Sequence, residues 1–141
     1  MKISDEGLEL IKRYEQLRLT AYKPTKDDVW TIGFGHTQFV KEGDNCTETQ
    51  AIEWLKQDCE WVENCINNHV RVPLAQNEFD ALASLVFNIG CSQFKASTML
   101  RLLNARDYEG AKEQFRRWNK QNHKELAGLT RRRATEERMF G

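Results

Sequence analysis

The stretch QNEFDALASLVFNIG, residues 76–90, limits what this chain can fold into more than any other part of it. Phe79, Leu82, Ala83 and Val86 recur at helical spacing. Pro73 separates the run from what precedes it, and Gly90 is placed to stop a helix. A helix this apolar has to be covered by other elements. It predicts a central core helix inside a larger helical assembly.

The remaining chain supplies the cover. Ser4, followed by Asp5 and Glu6 where a helix dipole favours acids, predicts a first helix running to about Leu17. Thr47 with Gln50 forms a capping box, and Ile52, Leu55, Cys59, Val62 and Ile66 make one stripe of a long helix over 47–68. Shorter helices start at Ser97/Thr98 and at Asp107, and a last one covers 130–139. Only residues 19–39 break the helical period. There LTAY and VWTI are β-rich runs around the turn residues KPTKDD, which predicts a hairpin, and FVKEGD is expected to add a third strand. The expected fold is α+β: a small three-stranded antiparallel sheet lobe near the N-terminus, a larger helical lobe, and a cleft between them.

A chain of 141 residues suits one domain, 1–141, able to bury roughly two thirds of its unfolded surface. The start, MKISDEGLELIKRYEQ, lacks the continuous apolar stretch of a signal or anchor, so no membrane insertion is expected. Net charge is zero, yet residues 101–141 carry 11 bases against 6 acids. Such a basic face suits a polyanion, but a solvated helix surface is the plainer reading, and RRR at 131–133 adds little weight. No nucleic-acid partner is expected.

Cys46, Cys59, Cys65 and Cys91 show no CxxC spacing, and His36, His69 and His123 are scattered, so no metal site and no cofactor is expected. Cys59 and Cys65 lie six residues apart on one predicted helix, rotated by roughly 240° and unable to bridge. Reduced thiols of a cytoplasmic type are the simplest account.

Chemistry enters at Glu15. Leu8, Ile11 and Glu15 fall at i, i+3 and i+7, which sets a carboxylate in line with core-seeking side chains. Partial burial raises a carboxyl pKa and suits a general acid. The residues equally allow an ordinary ion pair with Arg18 at the helix end. Downstream, WTIGFGHT places Gly33 and Gly35 in a strand pattern, as at a bulge or a close backbone approach to a ligand. Thr31 is a hydroxyl able to hold a water. Trp54 and Trp61, seven apart, read as core or interface more readily than as sugar platforms.

ELIKRYEQLRLTAY followed by VWTIGFGHT resembles the N-terminal signature of the phage-type lysozymes, glycoside hydrolase family 24, whose usual form is a glutamate in FEG, a short arm and TIGYGHT. VPLAQNEFDALASLVFNIG, STMLRLLN, DYEGAKEQFRRWN and LAGLTRRRATEERMF are similar to the successive helical blocks of the lambdoid-phage branch, so the resemblance covers nearly the whole chain. It implies a lysozyme-like fold and hydrolysis of the β-1,4 bond between N-acetylmuramic acid and N-acetylglucosamine in bacterial peptidoglycan.

Residue by residue, the family's catalytic glutamate falls on Glu15 and its threonine on Thr31, while His36 matches a histidine better read as structural. The family aspartate has no direct counterpart, because the arm is one residue longer: counting from either side lands on Pro24 or Thr25. Asp27 and Asp28 are the acids in reach, and Asp28, beside the VWTI strand, is the first choice. Its other reading is a turn aspartate bonding its own backbone. The resemblance also suggests sugar contacts from Gly33, Gly35, Asn88 and Gln93, although Asn88 and Gly90 equally read as a helix end.

Three functions stay open on the residues: a muramidase, a lytic transglycosylase needing only the acid, and a non-catalytic glycan-binding or virion protein. The first implies a monomeric endolysin that accumulates in the host bacterial cytoplasm, depends on a holin to leave it, and acts on the cell wall.

Overall fold

A computed structural model describes residues 1–121 and 123–141. In chain order the elements are α1 (Asp5–Glu15), β1 (Arg18–Tyr22), β2 (Thr31–Gly33), α2 (Glu48–His69), α3 (Gln76–Ile89), α4 (Cys91–Lys95), α5 (Thr98–Asn104), α6 (Tyr108–Glu113), a 3₁₀ turn (Gln114–Arg117), β3 (Lys120–Gln121), β4 (Lys124–Glu125) and α7 (Ala127–Phe140). The chain is α+β, as the periodicities predict. It divides into two compact units, one of residues 1–8 and 62–141, the other of residues 9–61.

The helix starts follow from local side-chain chemistry. Each first turn leaves backbone N–H groups without intrahelical acceptors, and a short polar side chain can take one of them. The Ser4 hydroxyl accepts from Gly7 N at 3.3 Å, Thr47 from Gln50 N at 3.1 Å, Ser97 from Leu100 N at 3.1 Å and the Asp107 carboxylate from Gly110 N at 2.9 Å. Helix α3 ends where Gly90 adopts φ +89, a conformation that L side chains rarely take.

In the larger unit the core forms around α3, whose Phe79, Leu82, Leu85 and Val86 are fully buried with Phe94, Met99, Leu103, Phe115 and Phe140. Burying each of these large side chains contributes about 1.5–3 kcal/mol relative to exposure. Helix α7 packs against α3, and its last carbonyls, Met139 O and Phe140 O, accept from Asn77 Nδ2. Between the two helices lies a buried charged cluster. Glu136 meets Arg133 Nε at 2.7 Å and Arg132 Nε at 3.3 Å, and the Ser84 hydroxyl donates to the same carboxylate. The RRR run is therefore not a basic face: Arg132 and Arg133 are buried, and only Arg131 is exposed. Burial pushes the Glu136 carboxyl up, while Arg133, Arg132 and Ser84 draw it down. Burial is the larger influence, so the Glu136 carboxyl stands above the ordinary glutamate value despite a guanidinium of each arginine against it.

Three other expectations are corrected. Residues 39–44 form two successive turns rather than a third strand, because Phe39 sits at φ 61 with 89% of its surface exposed and Gly43 turns the chain again at φ 86. Only Asp44 to Cys46 reach β1, through Ala21 N to Asp44 O and Cys46 N to Leu19 O at 2.8 Å each, so the sheet has two strands and a bridge at Thr20 and Asn45. The reduced-thiol reading fails as well, since Cys65 and Cys91 form a disulfide with their Cα atoms 5.9 Å apart. Excluding Cys59 with Cys65 on one helix was sound, but Cys91 opens a different helix immediately after the α3 stop. Finally, α1 ends at Glu15 instead of Leu17, and α7 starts at Ala127, ahead of 130, after a short β3–β4 ribbon whose KQ and KE carry no strand signal.

The unit of residues 9–61 has its own buried apolar residues: Leu10, Ile11, Ala21, Ile32, Phe34, Ala51, Leu55 and Cys59. Strands β1 and β2 are antiparallel, pairing Arg18 with Gly33 and Tyr22 with Thr31, with an irregularity between those pairs. No described helix is long and apolar enough to cross a membrane.

Candidate active site

Glu15 is the last residue of α1 because the next one turns the chain. Gln16 takes φ 57 and donates its N–H to Lys12 O at 3.0 Å, a left-handed helix stop usually given to glycine. The carboxylate side chain is half-buried at that stop, next in line after the buried Leu10 and Ile11. Its position is therefore set by backbone geometry on one side and an apolar helix face on the other.

The arm, residues 23–30, links β1 to β2 and is tied at its base by the Lys23 ammonium, 5.2 Å from the centre of the Trp30 ring. Its turn is closed by Thr25 and Asp28: Asp28 N donates to Thr25 O at 3.1 Å, and the Thr25 hydroxyl donates to Asp28 Oδ2 at 2.9 Å. Asp28 thus closes the turn, but its carboxylate bonds the Thr25 hydroxyl and not its own backbone. That bond uses one carboxylate oxygen, and a carboxylate accepts at both. Asp28 is half-buried, whereas Asp27 at the tip is exposed.

Thr31 opens β2 and is 6% exposed. Its hydroxyl donates to Val29 O at 3.1 Å, so the oxygen keeps lone pairs that can only accept. A water held by Thr31 would point a hydrogen at it and turn its own lone pairs elsewhere.

Gly33 and Gly35 make the hairpin that follows. Ile32 and His36 exchange both backbone hydrogen bonds at 2.9 Å, and the glycines inside take φ 66 and φ 76. A side chain on Gly33 would come within 3.1 Å of the Ala51 Cβ, so this glycine lets β2 lie against α2. His36 is buried, its Nδ1 2.9 Å from Asp58 Oδ2 and its ring stacked on Trp54 with centroids 4.7 Å apart. Burial pushes the Asp58 carboxyl up, and the bond and charge of His36 oppose it. Asp58 was not singled out from the sequence. The available signal was its i+4 spacing from Trp54, which puts both on one face of α2.

Glu15, Asp28, Thr31, Gly33 and Gly35 all belong to the unit of residues 9–61. Asn88, on the last turn of α3, and Gln93, in α4, belong to the other and are exposed. Metal-type ligands come together once among the described residues, at Cys65, His69 and Cys91, which include none of these groups.

The family model for phage lysozyme matches residues 12–136, a span that includes Glu15, the arm, Thr31, helices α2 to α6 and most of α7. The chain belongs to the phage lysozyme family. An endolysin of Acyrthosiphon pisum secondary endosymbiont phage 1 is 46% identical over 99% of this chain and 98% of its own length. An endolysin of Salmonella phage P22 is 44% identical over 94% of each chain. Among solved structures, the muramidase domain of SpmX from Asticaccaulis excentricus superposes with a TM-score of 0.91 at 40% identity, covering 99% of this chain and 97% of that one. Membership in the phage lysozymes carries the lysozyme-like α+β fold and a glycoside hydrolase activity, that of a phage endolysin or muramidase which lyses peptidoglycan. The cell wall is where such an activity is exercised.

Proposed function

We propose that this phage lysozyme hydrolyses the muramic acid to glucosamine bond with Glu15 as general acid, Asp28 as the arm carboxylate and Thr31 as the acceptor that orients the attacking water. The observation that carries the reading is the Thr31 hydroxyl, whose hydrogen is committed to Val29 O. A water donating to that oxygen has a second hydrogen left for a carboxylate, and its lone pair is then free to attack the anomeric carbon. Glu15 protonates the departing glycosidic oxygen. Asp28 takes the water's proton, using the oxygen that Thr25 does not bond. Water attack with an arm base corresponds to inversion, in which the two carboxyls stand about 6.5–9.5 Å apart. The backbone of Gly33 and Gly35 and the amides of Asn88 and Gln93 would contact the sugars.

The chain would work as a single catalytic domain and as a monomer. It would collect in the host cytoplasm and reach the wall when a holin opens the membrane.

Purified peptidoglycan digested with the wild type and with Glu15→Gln, Asp27→Asn and Asp28→Asn, and analysed by mass spectrometry, tests each role. Reducing ends are expected from the wild type, a loss of at least about a hundredfold from Glu15→Gln and Asp28→Asn, and near-normal digestion from Asp27→Asn. Full activity in Glu15→Gln removes it from the mechanism. Full activity in both aspartate variants means no arm carboxylate is needed. 1,6-Anhydro ends would make the enzyme a transglycosylase.

A further inference from the structure

We propose that the reduced chain holds one zinc-type divalent cation on Cys65, His69 and Cys91. The inference is independent of the catalytic assignments, since none of the three residues takes part in them. Cys65 and His69 stand four apart at the end of α2 and so share one helix face. Cys91 arrives from a different element as the first residue of α4. One nitrogen of His69 and the two sulfurs all lie within 4.8 Å of one another. Tetrahedral zinc, with bonds of about 2.3 Å to sulfur and about 2.0 Å to nitrogen, needs those atoms about 3.3–3.8 Å apart. While bonded to each other the two sulfurs stand closer than that, and breaking their bond lets them part toward this spacing with His69 already beside them.

Two further features suit a metal histidine. The His69 Nδ1–H donates to Cys65 O at 2.8 Å, which fixes the tautomer and leaves the ring lone pair on Nε2. Asn104 holds the helix end in place, donating from Nδ2 to His69 O at 3.0 Å and accepting from Arg71 N at 2.8 Å. Cys65 is buried, while His69 and Cys91 are half-buried, so an ion can enter from one side and keep a water as its fourth ligand.

In the oxidised chain the two sulfurs are joined to each other. A dithiol reductant gives two electrons and two protons, breaking the Cys65–Cys91 bond to yield two protein thiols while the reductant closes to its own disulfide. The cation then displaces both thiol protons and forms two metal–sulfur bonds, and the two thiolate charges balance its charge. The same two elements are thereby pinned together in either redox condition, by sulfur–sulfur bonding in an oxidising compartment and by the cation in a reducing one.

Cobalt(II) reports the site directly. The full chain is reduced with a dithiol, desalted without oxygen and titrated with cobalt, with far-ultraviolet circular dichroism recorded on each sample. One cobalt per chain, a thiolate-to-cobalt charge-transfer band and its displacement by zinc are expected from the reduced protein, and no band from the oxidised one. Cys91→Ser should abolish the band, and Cys46→Ser should keep it. His69→Gln, which leaves both cysteines in place, should weaken cobalt binding by at least about tenfold, the loss that even an outer-shell change causes at a metal histidine. A folded reduced chain without the band, a reduced chain that stays unfolded with cobalt present, or a band unchanged in His69→Gln or Cys91→Ser would each overturn the proposal, as would its loss in Cys46→Ser.

Discussion

Glu136→Gln isolates the buried charge cluster between α3 and α7. The change keeps the shape of the side chain and removes one negative charge from a residue with 0% exposure. Arg132 and Arg133, 4% and 1% exposed, then lose the negative charge between them and keep their bonds to Ser84 O and Trp118 O. Breaking a buried ion pair by removing one partner costs about 3–5 kcal/mol, because the remaining charge stays desolvated without the attraction that offset its lost water. Unfolding entropy of about 2.1 cal/mol/K per residue amounts to about 0.3 kcal/mol/K for a chain of this length, so the melting midpoint should fall by about 10–17 °C. Urea titration followed by tryptophan fluorescence, beside a thermal melt, measures both quantities. Glu137→Gln is the control: its partner Arg116 is 70% exposed, and the midpoint should not move measurably. A loss below about 1 kcal/mol in Glu136→Gln would refute the reasoning, for Glu136 would then be carrying a proton already or water would be reaching the arginines.

Reducing the Cys65–Cys91 bond, which closes a loop across a separation of 26 residues, should cost about 3.5 kcal/mol in metal-free buffer by the chain-entropy relation, read as a midpoint about 12 °C lower by calorimetry. Gln16→Gly should raise stability by about 1 kcal/mol, because φ 57 strains any residue with a Cβ; an unchanged or lower urea midpoint would count against that assignment. The raised Asp58 carboxyl makes folding take up a proton between its unfolded value of about 3.9 and its higher folded one. Its contribution to stability is present below that window and is lost as pH rises through it, so the stability of wild type relative to Asp58→Asn should decline across the window in urea titrations at stepped pH.

What could be read from the sequence was what neighbouring residues decide. Ser4, Thr47, Ser97 and Asp107 cap helices by bonding a backbone group three residues away, and Gly90 stops α3 through its own φ, so those boundaries needed no tertiary information. Glu15 stood out because it interrupts an apolar helix face. The cysteine pairing was hidden, since Cys65 and Cys91 meet only after α2 and α3 have packed. Arg132 and Arg133 misled for a related reason: their carboxylate is one helical turn away, but their burial depends on Ser84 and α3. Phe39 failed as a strand residue because an apolar side chain says nothing of the turn that exposes it. Asp58 gained meaning only once His36 had been brought to it.

Counted against the signature that the sequence resembles, the arm of residues 23–30 holds one extra residue. Loop closure entropy grows only with the logarithm of length, so one added residue in a loop of this size changes folding free energy by about 0.1 kcal/mol. Selection for stability is nearly blind to such an insertion. Chemistry is not, because each added residue moves which side chain occupies a given place along the turn by about 3.5 Å. The arm is thus a segment where length can change at almost no thermodynamic penalty while a different side chain comes to each place along it, and the Thr25–Asp28 closure orders the turn in this chain.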